Sequence, residues 1–171
     1  MPELTLRRVE PGLYALGDFG TLRSLRRFNA DIEAGGISWK LRRAALGLGQ
    51  IITATDSATG TRAARYVPRG RMHMRGIYGG TIHLDDGREL DWHAEHRMAS
   101  HFIVRQDGAM LAQFDAGSEE LPVTVALYGL RHLEALPLLF CCHIVKQIVD
   151  MTMEVGSPGA PRVDAARQPR S

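Results

Sequence analysis

One stretch near the C-terminus, "LPLLFCCHIVKQIVDMTME", limits the possible folds more than any other part of the chain. On a helical wheel its polar side chains form one stripe, which consists of His143, Lys146, Gln147, Asp150 and Glu154. Before His143, apolar side chains surround the helix axis, so this half needs apolar neighbours on every side. Pro137 is tolerated only in a first turn and therefore places the helix start near residue 135.

A transmembrane helix does not fit this stretch. About 20 mostly apolar residues are needed to cross a hydrocarbon core ~30 Å thick, whereas here the apolar run ends at Val145 and already contains His143. Lys146 follows, and a charged group at the bilayer centre costs about 2.5–3.5 kcal/mol on insertion scales. We therefore expect no transmembrane span and predict that the rest of the protein encloses the helix.

The sequence before Gly129 predicts strands that could form this enclosure. "TIHLDDGRELDW" and "HFIVRQDGAMLAQF" alternate apolar and polar residues on both sides of an Asp-Gly pair, which is typical of a β-hairpin. "IITATDSATGTRAARYV" predicts a third hairpin, and further strands fit "ELTLRRV", "LYALGDF", "GISWKLRR" and "LPVTVALY". Strands spaced by about 8–12 residues favour an antiparallel sandwich or barrel.

These patterns together predict a mainly β fold, in which a closed antiparallel barrel surrounds a central hydrophobic helix. We expect one domain over residues 1–154, with the helix at about 135–154, and a flexible tail over residues 155–171, which are rich in Pro, Gly, Ala and Arg. The side chains expected to form the helix core are Leu136, Leu139, Phe140, Ile144 and Ile148.

The two cysteines indicate a reducing compartment. Cys141 and Cys142 are adjacent in the apolar run, and side chains of neighbouring helical residues diverge, so we expect two free, buried thiols. No apolar run follows the charges of the first 20 residues, which argues against a signal peptide. These observations predict a cytoplasmic protein, with peripheral association at a membrane left open.

Charge is divided along the chain. Residues 1–75 contain 13 Lys/Arg and 6 Asp/Glu, whereas residues 76–154 contain 5 Lys/Arg and 12 Asp/Glu. Lys40 and Lys146 are the only lysines. A GC-rich coding bias is one explanation for so much arginine. The other is a basic face that binds phosphates or acidic lipids.

The segment "YVPRGRMHMRG" concentrates the basic residues of the first half. Alternate residues of a strand share a face, so an extended backbone would align its arginines. Guanidinium groups pair well with phosphate oxygens. The candidate residues for binding an anion or a lipid headgroup are Arg65, Arg69, Arg71 and Arg75. The alternative is a solvated strand face or loop.

A small metal-dependent enzyme that uses the His93–His101 region is an alternative of another class. The histidines of "WHAEHRMASH", His93, His96 and His101, match no familiar zinc spacing, and both cysteines lie in the helix. We therefore predict surface histidines and no metal ion or other cofactor. The chain also lacks a G-x-S-x-G nucleophile motif, so we assign no catalytic residue.

The chain resembles the tubby-like superfamily, particularly its LURP-one-related and phospholipid-scramblase-like branch. The resemblance covers roughly residues 4–154. It rests on "ISWKLRR", "IITATDSATGTRAARYV", "LDDGRELDW", "RQDGAMLAQF" and the closing "VTVALYGLRHLEALPLLFCCHIVKQIVD". It implies a closed barrel of about twelve strands around a hydrophobic helix, and a function in phosphoinositide binding, membrane-tethered regulation or lipid scrambling. The chain has no scramblase-type acidic calcium loop and no lysine-rich phosphoinositide site, so no functional residue carries over.

The sequence therefore favours a non-enzymatic barrel that binds an anionic, phosphate-bearing ligand or a phospholipid surface. A protein-interaction module of unknown process is a further alternative, with no partner indicated. Nucleic acid is not favoured, because stacking aromatic residues would have to alternate with the arginines, whereas those of this region are scattered at Phe28, Trp39, Tyr66 and Tyr78.

Overall fold

The computed structural model describes residues 3–26, 28–44, 51–69, 79–95, 101–116, 123–128 and 133–156, with the backbone alone for residues 151–156. The described part of the chain forms twelve strands followed by one helix. These elements are β1 (Glu3–Glu10), β2 (Leu13–Leu16), β3 (Gly20–Ser24), β4 (Ala30–Ala34), β5 (Ile37–Arg43), β6 (Ile52–Asp56), β7 (Arg62–Pro68), β8 (Gly79–Leu84), β9 (Glu89–Ala94), β10 (His101–Gln106), β11 (Ala109–Ala116), β12 (Val123–Leu127) and α1 (Ala135–Gly156).

The strands form a closed antiparallel barrel in which each strand pairs with its neighbours along the chain. The barrel closes where β1 pairs with β12, with Leu4 opposite Val125 and Leu6 opposite Val123. This confirms the predicted fold class. The structure also contains two short strands, β3 and β4, that the sequence pattern did not single out.

The hairpins turn where the sequence predicts. Between β8 and β9 the chain reverses at Asp85–Arg88, with Gly87 at φ 88°, and between β10 and β11 it reverses at Asp107 and Gly108. Both Asp107 and Gly108 have positive φ, which glycine and aspartate adopt more readily than most residues. The Asp-Gly pairs therefore end one strand and start the next, as expected of hairpin turns.

Helix α1 runs through the barrel and completes its core. All side chains from Pro137 to Ile148 are buried, which covers every side of the helix. Of the five predicted core residues, four are almost completely buried and Leu136 is half-buried against the same cluster. The helix comes close to β3 at Gly20, where a Cβ atom would lie 3.0 Å from Leu139 Cδ1. Barrel and helix therefore share one hydrophobic core.

The two ends of the barrel differ in their connections. The short links 17–19, 35–36, 57–61, 85–88 and 107–108 lie at one end, here called the turn end, where the helix begins. At the other end, the loop end, residues 11–12 join β1 to β2, and the strands β3, β5, β7, β9 and β11 end. The helix runs from the turn end to the loop end, so its polar stripe approaches the loop end.

Candidate functional site

The first candidate, Arg65, lies on the outer face of β7. Its neighbours Ala64 and Tyr66 are buried in the core, and the pleat of the strand therefore directs Arg65 outward. It is half-buried and pairs in register with Thr53 of β6 and His83 of β8. No carboxylate among the described residues forms an ion pair with it, so this guanidinium is available to an external anion.

Arg69 follows β7 directly and already has a carboxylate partner. Its backbone N–H donates to the carbonyl oxygen of Gly79 at 2.9 Å, and its guanidinium forms an ion pair with Asp91 of β9. The side chain nevertheless remains 64% exposed. Arg69 therefore lies just beyond the end of the strand that carries Arg65, and its positive charge is partly balanced.

The other two predicted residues of this cluster, Arg71 and Arg75, lie outside the described residues, as does His73. The alignment of four arginines along one strand face therefore remains a prediction for that part of the chain.

Arg42 is a neighbour of this site that the sequence did not single out. The register places Arg42 opposite Thr53, and Thr53 opposite Arg65, so the two arginines are two strands apart, about 10 Å. The Arg42 guanidinium lies 2.8 Å from an Asp31 carboxylate oxygen and donates to the carbonyl oxygen of Ala30 at 2.8 Å. Alternation in "ISWKLRR" puts Lys40 and Arg42 on one face, but strand pairing was needed to place Arg42 near Arg65.

The strand order converts the division of charge along the chain into a division around the barrel. Strands β1–β7 occupy one side and β8–β12 the other, because consecutive strands are neighbours. Described residues 3–69 include 10 Lys/Arg and 6 Asp/Glu, and described residues 79–128 include 2 Lys/Arg and 7 Asp/Glu. We call the surface of β1–β7 the basic side and the surface of β8–β12 the acidic side.

The histidines of the acidic side each pair with a separate carboxylate. His93 Nδ1 lies 3.3 Å from Asp91, His101 pairs with Asp115 of β11, and His83 Nδ1 lies 2.9 Å from Glu89. Among the described residues no three His, Cys, Asp or Glu side chains are grouped so that they could hold a metal ion. His96 lies outside the described residues.

The polar stripe of α1 is more buried than its sequence suggests. His143 is fully buried, Lys146 is 6% exposed and Gln147 is 9% exposed, and of the stripe's described side chains Asp150 alone is exposed. Lys146 forms an ion pair with Asp150, and its ammonium lies 5.3 Å from the centre of the Tyr14 ring. A buried cation is tolerated when it is paired in this way.

The thiols of Cys141 and Cys142 are free and fully buried, as predicted. Burial disfavours the thiolate and raises the pKa of both, and for Cys141 the neighbouring Cys142 adds to the effect. A reactive cysteine needs the opposite, a lowered pKa and access to solvent. These side chains therefore serve the core and carry no nucleophilic chemistry.

The surface of the barrel has two depressions lined by described residues. One, of about 330 Å³, lies at the turn end between the helix start and β8–β11, and Arg88 and Glu134 pair at 3.1 Å on its rim. The other, of about 460 Å³, crosses the outer face of β2–β5, and its charged lining consists of Arg23, Asp31, Glu33 and Lys40. Both linings mix positive and negative groups, so neither forms a purely basic pocket.

Within the described residues, α1 and its surroundings contain no helical stretch with the length and apolar character needed to cross a bilayer. Comparison with known proteins finds no matching family model, no matching curated protein and no matching solved structure.

Proposed function

We propose that this protein is a non-enzymatic, tubby-like barrel that binds an anionic ligand through its basic side. The ligand that we propose first is the headgroups of an anionic phospholipid surface. The tubby-like assignment rests on the resemblance in sequence, and the barrel with an enclosed C-terminal helix is the architecture that this resemblance implies. A peripheral position at a membrane follows from this function.

The single observation that carries the proposal is Arg65, an outward guanidinium that has no carboxylate partner among the described residues, on the side of the barrel where basic residues outnumber acidic ones. Arg42 and Arg69 belong to the same side, and although each is paired with a carboxylate, their side chains remain 42% and 64% exposed. The guanidinium group of arginine can donate two hydrogen bonds to the oxygens of one phosphate. Each basic residue close to an anionic membrane contributes about 1 kcal/mol to the binding free energy.

Vesicle co-sedimentation tests this function. We expect binding to vesicles that contain about 30% phosphatidylserine, weaker binding as salt rises because the Debye length falls to about 10 Å at 0.1 M, and no binding to neutral vesicles. Arg65→Glu removes one attraction and adds one repulsion, so it should weaken binding about tenfold.

The matched control is Arg105→Glu. Arg105 is exposed on β10, on the acidic side, and its reversal changes the net charge equally. Equal loss in both variants would show a response to net charge rather than to this site, and absence of binding to any vesicle would refute the lipid surface as ligand. Inorganic phosphate added as competitor separates the two sources of the anion: a free phosphate ligand would displace the protein from vesicles at concentrations too low to act by ionic strength.

A further inference from the structure

Exposed hydrophobic side chains mark one edge of the loop end. Three large hydrophobic side chains are exposed in the described part of the chain: Val9 at 62%, Leu25 at 39% and Ile37 at 48%. Val9 is near the end of β1 and Leu25 directly follows β3, so both lie at the loop end. Ile37 begins β5 and lies at the turn end.

A β-bulge exposes Val9. In the pairing of β1 with β2, Arg8 is opposite Tyr14 and Glu10 is opposite Leu13, so Val9 is an extra residue without a partner in the ladder. Bulges redirect side chains at the rims of barrels. The backbone itself therefore holds this valine away from the core.

A tight loop exposes Leu25. Its N–H donates to the carbonyl oxygen of Asn29 at 2.9 Å, which closes the link between β3 and β4, and Phe28 adopts a positive φ of 63°. The Ser24 N–H donates to the carbonyl oxygen of Gly12 at 2.7 Å and joins this loop to the turn after Val9. The two hydrophobic tips thus belong to one connected piece of the rim.

Arginines surround these tips. Arg7, Arg8 and Arg26 are exposed, and none of the three forms an ion pair with another described residue. The one nearby carboxylate of β1's end, Glu10, pairs with Arg23 at 3.3 Å and is balanced. We call Arg7, Arg8, Val9, Leu25 and Arg26 the rim patch.

We infer that the rim patch is the surface by which the protein docks on an anionic bilayer, with Val9 and Leu25 entering the headgroup region. This inference rests on the proposed function and adds the orientation: the loop end faces the lipid. Apolar tips beside exposed arginines that form no ion pair with a described residue suit an interface where acyl chains begin and phosphates lie above them. A purely electrostatic partner would leave the exposure of Val9 and Leu25 without a role.

Substitution separates this surface from Arg65. Val9→Ser with Leu25→Ser leaves every charge in place, and we expect it to weaken binding to vesicles with about 30% phosphatidylserine by about tenfold, since two apolar side chains lose their burial. Ile37→Ser is the control, because Ile37 is 48% exposed, between Leu25 and Val9, at the opposite end of the barrel, and it should bind as the wild type does.

An environment-sensitive fluorophore gives an independent readout of orientation. The two native thiols are fully buried, so a single NBD label can be placed at Val9→Cys or at Ile37→Cys. Its emission should rise and shift to the blue on anionic vesicles at position 9 and stay unchanged at position 37.

The outcomes distinguish the two proposals. One outcome contradicts the rim patch and leaves the proposed function standing. In it, Val9→Ser/Leu25→Ser still binds vesicles, the NBD label at position 9 shows no change in emission, and Arg65→Glu no longer binds. If the wild type binds no anionic vesicle, both are wrong. Weakened binding in Val9→Ser/Leu25→Ser but not in Ile37→Ser, with the fluorescence change at position 9, supports docking through the loop end.

Discussion

Gly80 illustrates how a single residue shapes the interior of the barrel. The Tyr66 ring lies over Gly80 and is 1% exposed. The Tyr66 hydroxyl donates to the carbonyl oxygen of Gly79 at 3.3 Å, and the Tyr66 and Trp92 rings form a T-shaped pair with their centres 6.0 Å apart. A Cβ atom at position 80 would lie 2.6 Å from the Val67 carbonyl oxygen and 2.8 Å from Tyr66 Cζ. Glycine is therefore required here by the ring that covers the strand.

We expect Gly80→Ala to lower the free energy of unfolding by about 1–3 kcal/mol, because the added methyl group must displace backbone and ring together. Gly79→Ala is the control, since a Cβ there would meet nothing closer than 3.5 Å and should change stability little. Urea unfolding of both variants measures the difference. Equal stabilities would contradict this account of the Tyr66–Gly80 contact.

His143 is a polar residue that the core holds neutral. A carbonyl oxygen only accepts hydrogen bonds, so the 3.1 Å contact with Phe28 O identifies Nε2–H as the donor and leaves Nδ1 buried without a partner among the described residues. Burial, with a smaller contribution from Lys146, lowers the His143 pKa to about 4, against the hydrogen bond to Phe28, which favours the charged form.

The lowered pKa predicts acid sensitivity. The folded state binds a proton at His143 less readily than the unfolded chain, so its contribution to stability is present above pH 6.5 and is lost as the pH falls to 4. We expect a loss of about 3 kcal/mol between pH 7 and pH 4 from this residue. His143→Gln keeps an N–H donor but does not titrate, and its unfolding free energy should fall by that much less over the same range.

Urea unfolding at pH 7, 5.5 and 4 measures the free energy of unfolding of the wild type and of His143→Gln. If both free energies fall equally with pH, His143 contributes nothing to acid sensitivity. The other titrating groups are the same in both proteins, so their contributions cancel in the comparison.

Helix α1 is the element on which the fold depends. Its first half cannot face water on any side, and the barrel supplies apolar neighbours all round it. Strand β3 packs closely on the helix at Gly20. A Cβ atom at this position would lie 3.0 Å from Leu139 Cδ1 of the helix and 2.8 Å from Ala34 Cβ of β4. The enclosed helix is therefore accessible to solvent reagents only when the barrel opens.

The thiols of this helix report on that enclosure. In the folded protein we expect Cys141 and Cys142 to resist a maleimide, because both side chains are fully buried, and to label completely in denaturant. A cysteine placed at the exposed turn, Ala58→Cys, should label at once and serves as the positive control. Rapid labelling of the native thiols under folding conditions would contradict an enclosed helix.

A bulge shows where alternation alone misleads at the scale of an element. By parity, Met110 shares the inward face with Val104 and Ala112, yet the register shifts so that Met110 lies opposite the outward Arg105. Leu111, the extra residue, is 5% exposed instead. A period of two predicts faces correctly only until an inserted residue changes the parity.

The whole molecule combines local hairpins with one very distant closure. Neighbouring strands are linked by short connections, whereas the pairing of β1 with β12 joins residues such as Leu6 and Val123 from opposite ends of the barrel domain. Bringing such distant residues together costs conformational entropy, and this cost is offset only when the contacts between them have formed. The β1–β12 contacts should therefore form last.

Folding kinetics test this order. Leu6 and Val104 are both fully buried, the first at the closure and the second in the β10–β11 hairpin. We expect Leu6→Ala to raise the unfolding rate with little change in the folding rate, and Val104→Ala to slow folding. Stopped-flow dilution of denaturant measures both rates. Slower refolding of Leu6→Ala in proportion to its loss of stability would contradict late closure.

Much of the architecture followed from local physical rules. Asp-Gly pairs with alternating residues predicted two hairpins, and the segment around residues 57–60 predicted a third. The helix half without a polar face required an enclosure, because an apolar surface is unfavourable in water. The strands β3 and β4 were harder to predict. Each contains a single large hydrophobic residue, Leu22 in β3 and Ile32 in β4, so little in the sequence marks an inward face.

The candidate site was predicted only in part for a related reason. Arginine content and spacing indicated Arg65 and Arg69, since both belong to one segment. The partners of those arginines belong to other strands: Asp91 reaches Arg69 from β9, and Thr53 separates Arg65 from Arg42. The rim patch likewise arises from a bulge and a loop that meet through the Ser24–Gly12 hydrogen bond. Sequence specifies local periodicity, turn chemistry and total charge, but strand register and barrel closure decide which charges become neighbours, because these depend on contacts between distant residues.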